Sequence, residues 1–71
     1  MEYLATVWNA GSKIEAHVDV RSYQGEVEAD FCSNLVYVDD EVVTLDEVNE
    51  TLLELLLDDA HDQWAMAEDE S

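Results

Sequence analysis

Basic residues are almost missing from this chain. Lys13 and Arg21 stand alone against nineteen Asp and Glu, giving a formal charge of −17 over 71 residues. Direct binding to nucleic acid needs clustered Lys and Arg to replace the phosphate counterions. The shortage argues against that, and against anionic membrane surfaces for the same reason. Proline is absent, and the two glycines, Gly11 and Gly25, fall in turn-like segments. The single cysteine, Cys32, cannot close an internal disulfide, which points to a reducing compartment. The strongest apolar cluster, Leu52 to Leu57, is interrupted by Glu54 and is too short to span a bilayer. Met1-Glu2-Tyr3-Leu4 shows no basic segment leading into an apolar one. The expected location is therefore the cytoplasm. Asn49-Glu50-Thr51 matches the glycosylation sequon, by chance on this reading. Apolar residues are not lacking, at 48% of the chain. Disordered chains combine high charge with low hydrophobicity, so this one reads as a folded domain with an extreme surface. One domain over residues 1–71 is expected, with 67–71 as a frayed acidic tail.

The pattern along the chain predicts an α+β fold. Tyr3 to Trp8 favours a strand. Ile14, Ala16, Val18 and Val20 alternate with Glu15, His17, Asp19 and Arg21, the signature of a half-buried antiparallel strand. After a turn at Ser22 to Gly25, Val27, Ala29 and Phe31 alternate with Glu26, Glu28 and Asp30. Cys32-Ser33-Asn34 either breaks this strand or carries it on to Val38. Thr44-Leu45-Asp46-Glu47 fits a capping box opening a helix over Leu45 to Met66. That helix is amphipathic, with a broad leucine arc opposite a row of acids. The expected architecture is an antiparallel β-meander of three to four strands with one long C-terminal amphipathic helix packed on one face. Ile14, Val18, Val20, Val27, Phe31, Leu35 and the leucine stripe are the expected core. The helix is long for such a sheet, so a homodimer is an expected way to cover surplus Leu or Trp64 surface.

The acids are arranged in a way that folding does not ask for. Asp46, Glu50, Glu54, Asp58 and Asp62 follow one another at intervals of four, and Glu47 adds to the helix start. Neighbouring like charges at that spacing destabilise a helix by about 0.2–0.5 kcal/mol per pair. Asp58, Asp59 and Asp62 also lie toward the helix C-terminus, where the dipole prefers cations. Glu15, Asp19, Glu26, Glu28 and Asp30 line the polar side of the strand pair. High charge alone serves solubility. Two ordered carboxylate faces with no interleaved cations suggest a decoy for a polyanion. With layers about 10 Å apart and a helix about 10–12 Å across, the faces would lie roughly 20 Å apart, comparable to a duplex width.

Other constellations are thin. Asp58, His61 and Asp62 share a helix face but lack the further nitrogen or sulfur ligands that zinc wants. Asp39-Asp40-Glu41 lacks the spacing and the glycine of a calcium loop. His17 and Cys32 with a carboxylate would imitate a nucleophilic triad, without an identifiable oxyanion hole. No catalytic residue, metal or cofactor is expected, and the protein is read as a non-enzyme.

In size, charge and paired acidic surfaces on strands Ile14–Val20 and Glu26–Phe31 and helix Leu45–Met66, the chain resembles the small acidic DNA-mimic inhibitors of phages and mobile elements. These include anti-CRISPR proteins, anti-restriction proteins and uracil-DNA glycosylase inhibitors. The resemblance is one of class. It implies an inhibitor, with anti-CRISPR the leading subtype, that occupies the basic nucleic-acid groove of a CRISPR effector, restriction enzyme or repair enzyme in the host cytoplasm. Trp8, Tyr23 or Trp64, if exposed, would supply specific contacts. Two alternatives stand beside it. One is an acidic adaptor or regulatory subunit that docks on a basic protein surface without mimicry. The other is a small domain adapted to high salt.

Overall fold

A computed structural model describes the backbone of residues 1–70 and the side chains of residues 1–67. It comprises a five-stranded antiparallel sheet and one long helix, the α+β arrangement expected. The strands are β1 (Glu2–Asn9), β2 (Ser12–Tyr23), β3 (Glu26–Phe31), β4 (Leu35–Val38) and β5 (Glu41–Thr44); the helix, α1, spans Glu50–Glu70. β2 is the spine. It pairs with β1 along one side, and with both β3 and β4 along the other. β5 closes the far edge against β4.

The turns fix this register. Each hairpin loop has two central residues with positive φ: Ala10 and Gly11, Gln24 and Gly25, Asp39 and Asp40. That is the type I′ geometry, whose twist suits the strands it joins. Gly11 (φ 83°) and Gly25 (φ 85°) adopt it without a steric penalty. Asp is among the few other residues that tolerate the left-handed region.

The sheet has five strands where three to four are expected: the break at Cys32-Ser33-Asn34 separates the fourth from the third, and the fifth is Glu41–Thr44, which pairs with β4 instead of leading straight into the helix. β3 and β4 are successive pieces of one path along β2. Phe31 faces Val18 and Val38 faces Ile14. Seven steps on one strand are matched by four on the other, which leaves three extra residues. An odd offset reverses which residues face inward. Ala29 and Phe31 point to the core in β3, whereas Val36 and Val38 do so in β4. Leu35, expected in the core, is therefore turned out and is 43% exposed. Val27 is also exposed, because it sits opposite Ser22 near the free end of the hairpin.

Ala5, Ile14, Ala16, Val18, Val20 and Val36 of the sheet form one core with Leu56 and Ala60 of the helix. The alternation of β2 predicts this face residue by residue. Leu52, Leu53, Leu57 and Trp64 pack around that core half-buried, while Leu55, placed on the apolar arc, is exposed.

The helix begins later than the capping box suggests. Leu45–Glu47 forms a single 3-10 turn, and Val48 is extended (φ −99°, ψ 140°). Glu47 does reach back, accepting the Thr44 backbone N–H at 3.3 Å. The cap of α1 is Asn49, whose Oδ1 accepts the Thr51 N–H at 2.9 Å. At the other end α1 runs through the expected tail as far as Glu70, and Ser71 lies outside the described residues. No helix is long and apolar enough to cross a membrane among the described residues.

Candidate acidic interface

The helix carries the most regular charge array. Leu56 and Ala60 are fully buried and set the inward direction of α1. At 100° per residue, Glu50, Glu54, Asp58 and Asp62 fall within an arc of about 120° centred opposite Leu56. All four are exposed. They mark a line about 18 Å long, with a carboxylate about every 6 Å. No Lys or Arg lies on the helix. Asp46, expected in this row, is not part of it, because the 3-10 turn and extended Val48 separate it from α1. Glu47 is exposed and engaged with the Thr44 backbone.

The strand acids form a second group on the opposite side of the molecule. Asp19 pairs with Asp30 across the ladder, Arg21 with Glu28, and Tyr23 with Glu26. These residues and Glu15 therefore share the outer sheet face. This face is not the unbroken carboxylate surface that the sequence suggests. Both basic side chains lie on it. Lys13 Nζ is 3.5 Å from Glu15, and Arg21 Nε is 2.6 Å from Asp19. The amino group of Met1 adds a second cation to Asp19 at 2.9 Å. The Arg21 hydrogen bond, followed by that of the Met1 amine, holds the Asp19 carboxyl below its ordinary value.

Apolar residues complete the outer sheet face. Leu4 lies opposite His17, Trp8 opposite Lys13, and Tyr37 between Glu15 and Val42. Trp8 is 69% exposed and Val42 55%. Tyr23 is exposed as well, while Trp64 packs at the core edge with its ring 5.8 Å from that of His61. Of the three aromatics expected as anchors, Trp8 and Tyr23 are thus presented to the outside. The exposed parts of Leu35, Tyr37 and Val42 carry no sequence signal of their own, because their direction depends on the offset after Phe31.

One constellation is assembled more closely than the sequence implies. The Cys32 backbone N–H donates to the His17 carbonyl at 3.0 Å, and Glu2 lies 3.7 Å from His17 Nδ1. Desolvation, then the Glu2 carboxylate, pushes the Cys32 thiol upward. A nucleophilic cysteine needs the reverse, a thiolate favoured by cations. Asp59, adjacent to Asp58, turns inward to the Thr6 N–H and Gln63. Among the described residues no group of three or more His, Cys, Asp or Glu converges as metal ligands would.

A groove of about 380 Å³ opens at the start of α1. Ile14, Val43, Val48 and Leu52 line its floor, with Glu41 and Glu47 at its rim. It lies where the extended Val48 separates the 3-10 turn from the helix. Among the described residues no buried side chain is polar or charged. What the molecule offers is charge and apolar surface directed outward. The chain matches no known protein family, no curated protein and no solved structure.

Proposed function

We propose that this protein is a nucleic-acid mimic that inhibits a host defence complex, with a CRISPR effector as the first target class. It occupies the cationic groove meant for DNA or RNA and blocks substrate entry in the host cytoplasm. The observation that carries this reading is the row Glu50, Glu54, Asp58 and Asp62, aligned, exposed and free of any cation on its helix. One strand of duplex DNA presents a phosphate every 3.4 Å, so a carboxylate every 6 Å or so is a sparser line of the same sign. A rigid line needs little ordering on binding, and opposite potentials give fast, salt-sensitive association.

The experiment is a competition. Purified nucleic-acid-guided or restriction complexes are titrated with the protein, then with unlabelled duplex. Mimicry requires that duplex displace the protein, and that charge reversal at Glu50, Glu54 and Asp58 abolish binding. If a ternary complex of protein, target and substrate persists, the protein is an adaptor on a basic surface. Binding that survives both the duplex and the charge reversals removes the mimic reading.

A further inference from the structure

The outer sheet face and the helix row differ in one respect that decides what each can meet. The helix row has charge of one sign only. The sheet face holds both signs: Lys13 beside Glu15, and Arg21 beside Asp19, Glu28 and Asp30. A chain with only two basic side chains has placed both of them here, with its N-terminal amine on Asp19. Beside these pairs lies the apolar group Leu4, Trp8, Leu35, Tyr37 and Val42, brought together from three strands, with Lys13, Glu15 and His17 of β2 running between them. Leu4, Trp8, Leu35 and Val42 are each more than two-fifths exposed. The single helix is packed on the other side of the sheet, so among the described residues nothing covers this one.

We infer that the outer sheet face binds a second copy of this chain, giving a two-fold dimer with sheets inside and helices outside. An isologous contact sets the same patch against itself, so that patch must be self-complementary. The sheet face meets this condition, because its central strand β2 carries charges of both signs and exposed apolar side chains flank it on β1, β4 and β5. The helix row cannot, because every approach brings carboxylate to carboxylate. A cationic partner, conversely, gains most from the row that no cation neutralises. The two faces therefore sort their partners by charge. In the dimer the two helix rows face outward on opposite sides, and Trp8, the most exposed apolar side chain of this group, is the anchor on the edge strand β1. This inference stands independently of what the helix row binds.

Sedimentation equilibrium on the whole protein tests it. The expected mass is twice the 8.1 kDa chain mass. The dimer fraction should rise as salt increases from about 0.05 to 0.5 M, because screening weakens the repulsion between two chains of the same sign. Binding of a cationic target should weaken over the same range, which separates the two ideas. Trp8→Glu and Val42→Glu should each give single chains with unchanged far-ultraviolet circular dichroism, since both sites are exposed. Glu54→Gln should leave the dimer intact. In a Trp64→Phe background, Trp8 emission should shift to the blue with rising concentration. A single-chain mass at about 0.5 mM protein in either salt overturns the inference, as does a dimer indifferent to both sheet-face substitutions.

Discussion

Asp59 accepts the backbone N–H of Thr6 at 2.9 Å, although 53 residues separate them. Gln63, one turn further along, bonds the same carboxylate and the Leu4 carbonyl, both at 3.0 Å. Thr6 N–H and Leu4 C=O point away from β2, toward the free edge of β1. Unpaired edge groups of this kind invite another strand. The helix therefore closes a stretch of the edge with its own side chains. Asp59→Ala should leave the Thr6 donor without a partner, costing about 1–3 kcal/mol in urea unfolding. Hydrogen exchange at Thr6 should accelerate more than at the β2 core amides. Unchanged exchange at Thr6 would contradict the clamp.

The helix row predicts a gain in stability when it is diluted. Glu54 has like-charged neighbours four residues away on both sides. Glu54→Gln should stabilise the fold by about 0.4–1 kcal/mol while weakening the binding of a cationic target. Added salt should raise the melting temperature of the wild type more than that of the variant. If Glu54→Gln destabilises the fold, the row is not a source of repulsion.

Asp19 gives a pH dependence with a definite sign. Its carboxyl is lowered by the Arg21 hydrogen bond and then by that of the Met1 amine. A group whose folded value lies below its unfolded one stabilises the fold above the unfolded value, and the benefit is lost as pH falls through the folded value. Asp19→Asn should therefore be less stable than wild type near neutrality. The gap should close as pH drops below about 3.9, the ordinary aspartate value. A gap that persists in acid would assign the loss to packing rather than to charge.

The turns supply a backbone test. Ala10 sits at φ 51°, a left-handed conformation costing roughly 1–2 kcal/mol for most residues. Ala10→Asn should recover part of that, on the order of 0.5–1 kcal/mol. Gly11→Ala should lose about 1 kcal/mol, although nothing lies within 4 Å of the added methyl. Equal stability of all three proteins in thermal unfolding would argue against the type I′ geometry.

Leu56 is the test of the core. It is fully buried between helix and sheet. Leu56→Ala should cost about 2–5 kcal/mol. A chain of this size has roughly 4–10 kcal/mol in total, so the variant should be partly unfolded at 37 °C by circular dichroism.

The parts of the fold visible in the sequence are those set by local periodicity. β2 shows its inward face in every second residue from Ile14 to Val20, because one side is packed and the other is wet. The acids of the helix row follow from spacing alone once a helix is assumed. The start of that helix was less visible, because Thr44 with Glu47 and Asn49 with Thr51 are two capping signals five residues apart. The first closes only a 3-10 turn. The direction of Leu35 and Tyr37 was hidden, because it depends on how many residues leave the ladder at Cys32. The pairing of Lys13 and Arg21 with acids of their own face needs only strand alternation, yet counting charge along the chain conceals it. The clamp between Asp59 and Thr6 joins distant segments, and no local pattern reports it.

The three-residue excess around Cys32-Ser33-Asn34 acts as a phase shifter for everything that follows it in the sheet. Loss or gain of a single residue there would leave composition and charge nearly untouched. It would nevertheless exchange the interior and exterior of β4, sending Leu35 and Tyr37 inward and Val36 outward. Drift in the length of this short segment is thus far more hazardous to the molecule than drift in its letters.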